Sequence, residues 1–161
     1  MEVIGREHAT VDAGVVVLAR PPIVYAVSIL LGVGLNFLWP VEVVPHVIEQ
    51  LGKLLILVAV GLFALSIREL QRAATTFRTR RPTTVLVRTG PYRLSRNPMY
   101  LAFTLLHLGV GIWLNSVWVL AMLVPSLALV SGGVIAREER YLLAKFREEY
   151  RRYQAAVRRW T

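Results

Sequence analysis

Four stretches of the chain are dominated by apolar residues: 21–40, 48–67, 98–114 and 117–136. An α-helix rises about 1.5 Å per residue, so a hydrocarbon core of roughly 30 Å needs about 20 residues, or about 17 where the ends snorkel. Each stretch meets that length, and the pattern predicts an all-α integral membrane protein with four transmembrane helices. Pro21-Pro22 suits the opening turn of the first, where a missing N–H costs little. Asn97-Pro98 marks the start of the third, with Asn as N-cap and Pro as first helical residue. Asn115-Ser116 is so tight a link that the third and fourth helices must form a hairpin. Within the fourth, Pro125 predicts a kink, and Gly132-Gly133 allows a close neighbour or another bend. Gly109 and Gly111 predict a packing groove in the third, although an opening for a ligand needs the same small residues.

Between the second and third helices the charge returns. The stretch IRELQRAATTFRTR extends the second helix into the cytoplasm until Arg81-Pro82 breaks it. Residues 83–87 suit an extended strap, and Gly90-Pro91 a turn. Beyond the fourth helix the chain reads REERYLLAKFREEYRRYQAAVRRW. At about 100° per residue from Glu139, the positions Leu142, Leu143, Phe146, Tyr150, Tyr153 and Val157 fall within about 60° of one direction. That is a C-terminal amphipathic helix with Glu139 at the head of its apolar stripe. Residues 1–20 are weakly patterned. The first apolar stretch lies too far along the chain, and lacks the charged front and cleavage site, to be a secretory signal peptide, so it is expected to remain.

Composition narrows the class. Of 161 residues 55% are hydrophobic, with a mean hydropathy of +0.53, which suits a single membrane domain over 1–161. The chain has no cysteine, which excludes disulfides, thiolate metal sites and cysteine nucleophiles. A net charge of +9 would suggest nucleic acid in a soluble protein, but sixteen of the 19 basic residues fall in 68–96 and 137–159. Four helices place both segments on one side. The positive-inside rule then makes the N- and C-termini cytoplasmic, and anionic lipid headgroups replace nucleic acid as the expected partner. A bacterial or archaeal inner membrane is the expected location.

Two polar clusters meet the membrane from that side: RTGPYRLSRNPMY entering the third helix and REER leaving the fourth. The short hairpin makes them neighbours. Arginines, the N–H groups of a helix start and two carboxylates then converge, an arrangement suited to a zwitterionic ligand. Taken singly, the arginines are equally well interfacial anchors, Tyr92 and Tyr100 aromatic-belt residues, and Glu138 a partner of adjacent arginines. Glu139 is harder to explain so, because a carboxylate on the inward stripe at the membrane boundary is costly unless paired. His107 lies about 14 Å of helix rise beyond Pro98. At that depth it is a candidate functional group, and a neutral histidine bonded to a backbone carbonyl explains it equally. No metal site is expected, since His8 and His46 are remote in sequence. Neither a Ser-His-Asp set, nor a Walker loop, nor a strand followed by GxGxxG is present.

Taken together, Gly90-Pro91-Tyr92-Arg93, Arg96-Asn97-Pro98-Met99-Tyr100, Glu138-Glu139, and Phe146 with Tyr150 and Tyr153 resemble the isoprenylcysteine carboxyl methyltransferase and phospholipid methyltransferase superfamily of integral membrane enzymes. The resemblance covers a core of about 70–159. It implies an S-adenosylmethionine pocket on the cytoplasmic side, to which Tyr92, Arg96, Asn97, Pro98, Tyr100, Glu138 and Glu139 correspond; His107 is added for its depth and face. It also implies a lipidic or amphiphilic methyl acceptor. A carboxylate acceptor would be oriented by Arg93 or Arg137, and an amine would give its proton to Glu139. Ala102 and Arg147 stand where the family often has Gly. Asn97 replaces the histidine of the carboxyl methyltransferases and is more like the phospholipid N-methyltransferases. Two other expectations compete: an NADPH-binding reductase, since membrane sterol reductases share related motifs, and a non-catalytic protein whose basic face binds anionic lipid.

Overall fold

The computed structural model describes residues 21–43, 45–73 and 85–160, and these contain helices and connecting segments with no strand among them. The first helix, α1 (Pro21–Leu38), opens at the proline pair as expected. It turns Leu30, Leu31, Phe37 and Leu38 outward, the surface of a helix bathed in lipid rather than water. α2 (His46–Arg72) has 27 residues and rises about 40 Å, longer than the hydrocarbon core, so the expected extension through Arg68, Glu69 and Arg72 is helical. A short 3₁₀ turn, Gly90–Arg93, precedes α3 (Pro98–Trp113). α4 (Val117–Leu129) then runs without interruption through a π-helical segment, Val130–Ile135, into α5 (Ala136–Ala156). Three helical runs, α1, α2 and the continuous Val117–Ala156, are long and apolar enough to cross a membrane; α3 is apolar but shorter, at 16 residues.

Small residues set the packing. A Cβ on Gly52 would lie 2.6 Å from the Gly109 carbonyl oxygen, and one on Gly109 would lie 2.8 Å from that of Gly52, so α2 and α3 touch backbone to backbone. Gly111 abuts the Leu120 side chain in the same way. The groove expected at Gly109 and Gly111 is therefore a packing seam. Gly32 lets α1 approach the backbone of Val119 on α4. Hydroxyl contacts add direction: Tyr25 meets Thr104 at 2.8 Å, and Ser28 meets Ser126 at 2.5 Å. The hairpin link is as tight as expected, with Asn115 at φ +49° and the Ser116 hydroxyl accepting from the Val119 N–H.

Gly132-Gly133 behaves differently from the close-neighbour expectation. A Cβ at either position would meet nothing within 4 Å among the described residues, and both lie in the π segment about two turns after Pro125, which has no N–H to give to the ladder. A second correction concerns Asn97. It precedes Pro98 as expected, but its side chain makes no cap bond; its Nδ2 donates instead to the Arg159 carbonyl at 3.2 Å. Arg147 interrupts α5 at φ +43° and ψ −114°, a region that strains a residue with a Cβ by about 1–3 kcal/mol. Residues 1–20, the break at Arg81-Pro82 and the start of the strap at 83–87 lie outside the described residues; at its end Val87 is buried in irregular backbone.

Candidate functional site

Three pieces of chain meet where α3 begins. The first is the Gly90–Arg93 turn with the loop that follows it. Gly90 takes φ +56°, and a Cβ there would lie 2.8 Å from the Glu69 side chain, so glycine is required both for the backbone angle and for the close approach. Glu69, reaching down from the end of α2, accepts from the Thr89 hydroxyl at 2.6 Å and pins the turn to that helix. Thr89 and Arg72 together hold the Glu69 carboxyl below its usual range. The second piece is the start of α5, which the continuous helix carries up from α4. The third is the segment 157–160, which leaves α5 and folds back over the loop.

Side chains from these pieces converge. The Tyr100 hydroxyl donates to Glu138 Oε2 at 2.7 Å, joining the first turn of α3 to the first turn of α5. Burial pushes the Glu138 carboxyl above its ordinary value; the Tyr100 hydrogen bond opposes that shift, and the neighbouring Glu139 adds to it. Glu139 is only 9% exposed. Arg159 grips it with two arms, Nε to Oε1 at 3.2 Å and Nη2 to Oε2, and Arg96 Nη1 stands 3.3 Å from Oε1. Planar, two-armed guanidinium–carboxylate pairing of this kind is the strong form of the interaction. Tyr92 is buried beside this pair. Its carbonyl accepts from the Tyr153 hydroxyl at 2.6 Å, while its own hydroxyl has no hydrogen-bond partner among the described residues. Burial pushes the Tyr92 hydroxyl up, with Glu138 adding, and lifts that of Tyr153 to about 12. Arg96 Nε and Nη1 are likewise buried with no hydrogen-bond partner among the described residues. Orphaned buried donors are costly, and three near a pair of carboxylates suit a site shaped for a polar ligand.

Of the residues picked from the sequence, Tyr92, Arg96, Asn97, Pro98, Tyr100, Glu138 and Glu139 lie in this cluster. The adjacency of the two polar clusters, expected from the short hairpin, is what the structure has. Three picked residues lie elsewhere. Arg93 is exposed and lines a separate groove of about 310 Å³ with Arg88, Arg152, Tyr153, Ala156 and Val157. Arg137 is exposed on α5. His107 is fully buried inside the bundle, where its Nε2 lies 2.8 Å from the Val119 carbonyl at the opposite end of α4 from Glu138. The carbonyl-bonded alternative is thus the arrangement found. Ser95 and Arg159 were not singled out from the sequence. A signal for Arg159 existed: a carboxylate heading a buried stripe requires a cation, and Arg158-Arg159 follow directly where the stripe ends at Val157. Among the described residues no group of three His, Asp or Glu stands together.

A family model described as phospholipid methyltransferase matches residues 47–149 of the chain. An uncharacterized protein of Haemophilus influenzae is 40% identical over 62 residues, which cover 38% of this chain and 98% of that protein. The cobalt-zinc-cadmium resistance protein CzcN of Cupriavidus metallidurans is 40% identical over 74 residues, which cover 45% of this chain and 34% of CzcN. The chain therefore spans about a third of the length of the latter relative.

Proposed function

Because the chain belongs to the phospholipid methyltransferase family, within the group that also holds the isoprenylcysteine carboxyl methyltransferases, and is a membrane methyltransferase, we propose that it uses S-adenosylmethionine to methylate a lipidic or amphiphilic acceptor at the cytoplasmic face of the membrane. The observation that carries this reading is the paired Glu138 and Glu139 with the half-buried Arg96 and the buried Tyr92, at the mouth of α3.

The residues present fit such a donor. Its amino-acid end carries an ammonium and a carboxylate; Glu138 is the acceptor for the first, and the unpartnered Arg96 Nε and Tyr92 hydroxyl are donors for the second or for a ribose hydroxyl. Asn97 and Pro98 hold the loop that presents these groups, and Tyr100 fixes the Glu138 rotamer. When bound, the donor supplies an electrophilic methyl group on a sulfonium, so the protein needs chiefly to bind, orient and exclude water. For an amine acceptor, Glu138 is better placed than Glu139 to take the proton. Burial raises its affinity for one, whereas both Glu139 oxygens are engaged by guanidinium groups. For a carboxylate acceptor, Arg93 is the favoured candidate, because the groove it lines shares Tyr153 with the site.

Titration of the purified protein in detergent with S-adenosylhomocysteine tests the reading. Binding in the micromolar range is expected, with loss of at least tenfold in Glu138→Gln and Glu139→Gln and no change in the exposed Glu148→Gln. Binding of NADPH instead would favour a reductase, and binding of neither would leave a lipid-binding protein. Radiolabelled donor offered with lipid extracts then separates carboxyl from amine acceptors.

A further inference from the structure

The segment 157–160 makes several bonds to the site. Its Arg158 carbonyl accepts from the Arg96 N–H at 3.0 Å, and its Arg159 carbonyl accepts from the Ser95 hydroxyl at 3.1 Å and from Asn97 Nδ2 at 3.2 Å. The Arg159 guanidinium closes on Glu139. Trp160 packs against the cluster formed by Tyr25, Tyr100, Val130 and Ile135, which joins α1, α3 and the π segment. Four residues thus tie the loop before α3, the start of α5 and α1 together.

We infer that this segment is a clasp that completes the methyl-donor site, with Arg159 as a positioning residue that holds Glu139 and, through it, Arg96. The inference rests on the donor reading above. Its chemistry is geometric: Glu139 is a shared anchor for two guanidinium groups, and one of them, Arg96, keeps buried nitrogens with no hydrogen-bond partner among the described residues. Without Arg159, the buried Glu139 keeps Arg96 alone as counter-ion, and the Arg96 side chain must turn to serve it. The guanidinium then leaves the direction in which it meets the ligand. The charged and titratable groups around Glu139 are Arg96 from the loop, Arg159 from the clasp, and Glu138 and Tyr150 from α5.

The test compares wild type, Arg159→Gln and Arg159→Lys in detergent by titration with S-adenosylhomocysteine. Arg159→Gln should bind at least tenfold more weakly. Arg159→Lys should recover part of the affinity and not all of it, since an ammonium lacks the two-armed grip. The exposed Arg152→Gln should match wild type. Wild-type affinity in Arg159→Gln overturns the inference, and tighter binding would make Arg159 an obstacle instead. Hydrogen exchange separates failure of the clasp from failure of the donor reading. In Arg159→Gln the Arg96 amide should exchange at least tenfold faster while the Leu101 amide, bonded within α3, does not. An unchanged Arg96 amide overturns the clasp whether or not the donor binds.

Discussion

Glu138 accepts a hydrogen bond from Tyr100, while Glu139 next to it is gripped by Arg159 and approached by Arg96. The difference has a consequence for stability. A carboxyl pushed up by burial holds its proton more tightly folded than unfolded, so ionising it opposes folding. That cost is absent below the ordinary carboxylate range and grows as pH rises through the raised value. Glu138→Gln keeps an acceptor for Tyr100 and removes the charge. It should therefore raise the melting temperature at about pH 8 and leave it unchanged at about pH 4, in thermal melts of detergent-solubilised protein; a lower melting temperature at the higher pH would contradict the assignment. The inward position of Glu139 was legible because 3.6-residue periodicity alone puts a charge at the head of an apolar stripe. The partner of Glu138 was not, because a Tyr100–Glu138 bond depends on how two helices are rotated about their own axes, which periodicity leaves open. Arg147 gives the opposite lesson: the family's frequent glycine there has a conformational reason, a positive φ, visible only once the backbone is known.

At the scale of the helix, the starts of α1, α3 and α4 fall where prolines and the Ser116 cap put them, and α2 begins two residues ahead of the apolar pattern. Glycines were harder to read, because one residue type serves opposite purposes. Gly52 and Gly109 are small so that two helices can touch, whereas Gly132 and Gly133 meet no neighbour among the described residues. Gly109 and Gly133 both stand among aliphatic residues, so composition could not separate their roles. Substitution does. A Cβ on Gly52 would stand 2.5 Å from the Trp113 nitrogen and 2.6 Å from the Gly109 oxygen, backbone atoms with no rotamer to step aside. Gly52→Ala should cost about 2 kcal/mol, read as a lower melting temperature, by forcing α2 away from α3. Gly61→Ala on the same helix faces open space and should be neutral or stabilising by up to about 1 kcal/mol through helix propensity.

For the molecule as a whole, charge sets the expected topology. The basic loop before α3 and the basic α5 share a face in the structure, and we propose from the positive-inside rule that this face is cytoplasmic. A chain without cysteine makes the assignment easy to check. A single cysteine at the exposed Glu42 should react with an impermeant maleimide in intact cells, and one at the exposed Lys145 only after the cells are opened; the reverse pattern inverts the topology. The same view of the whole gives the bare backbone at Gly132 and Gly133 a further meaning. Hydrocarbon leaves no vacuum beside a protein, so acyl tails must fill whatever space a missing side chain vacates. Among the described residues nothing covers these two glycines, so on that flank of the continuous helix a lipid tail lies directly against backbone.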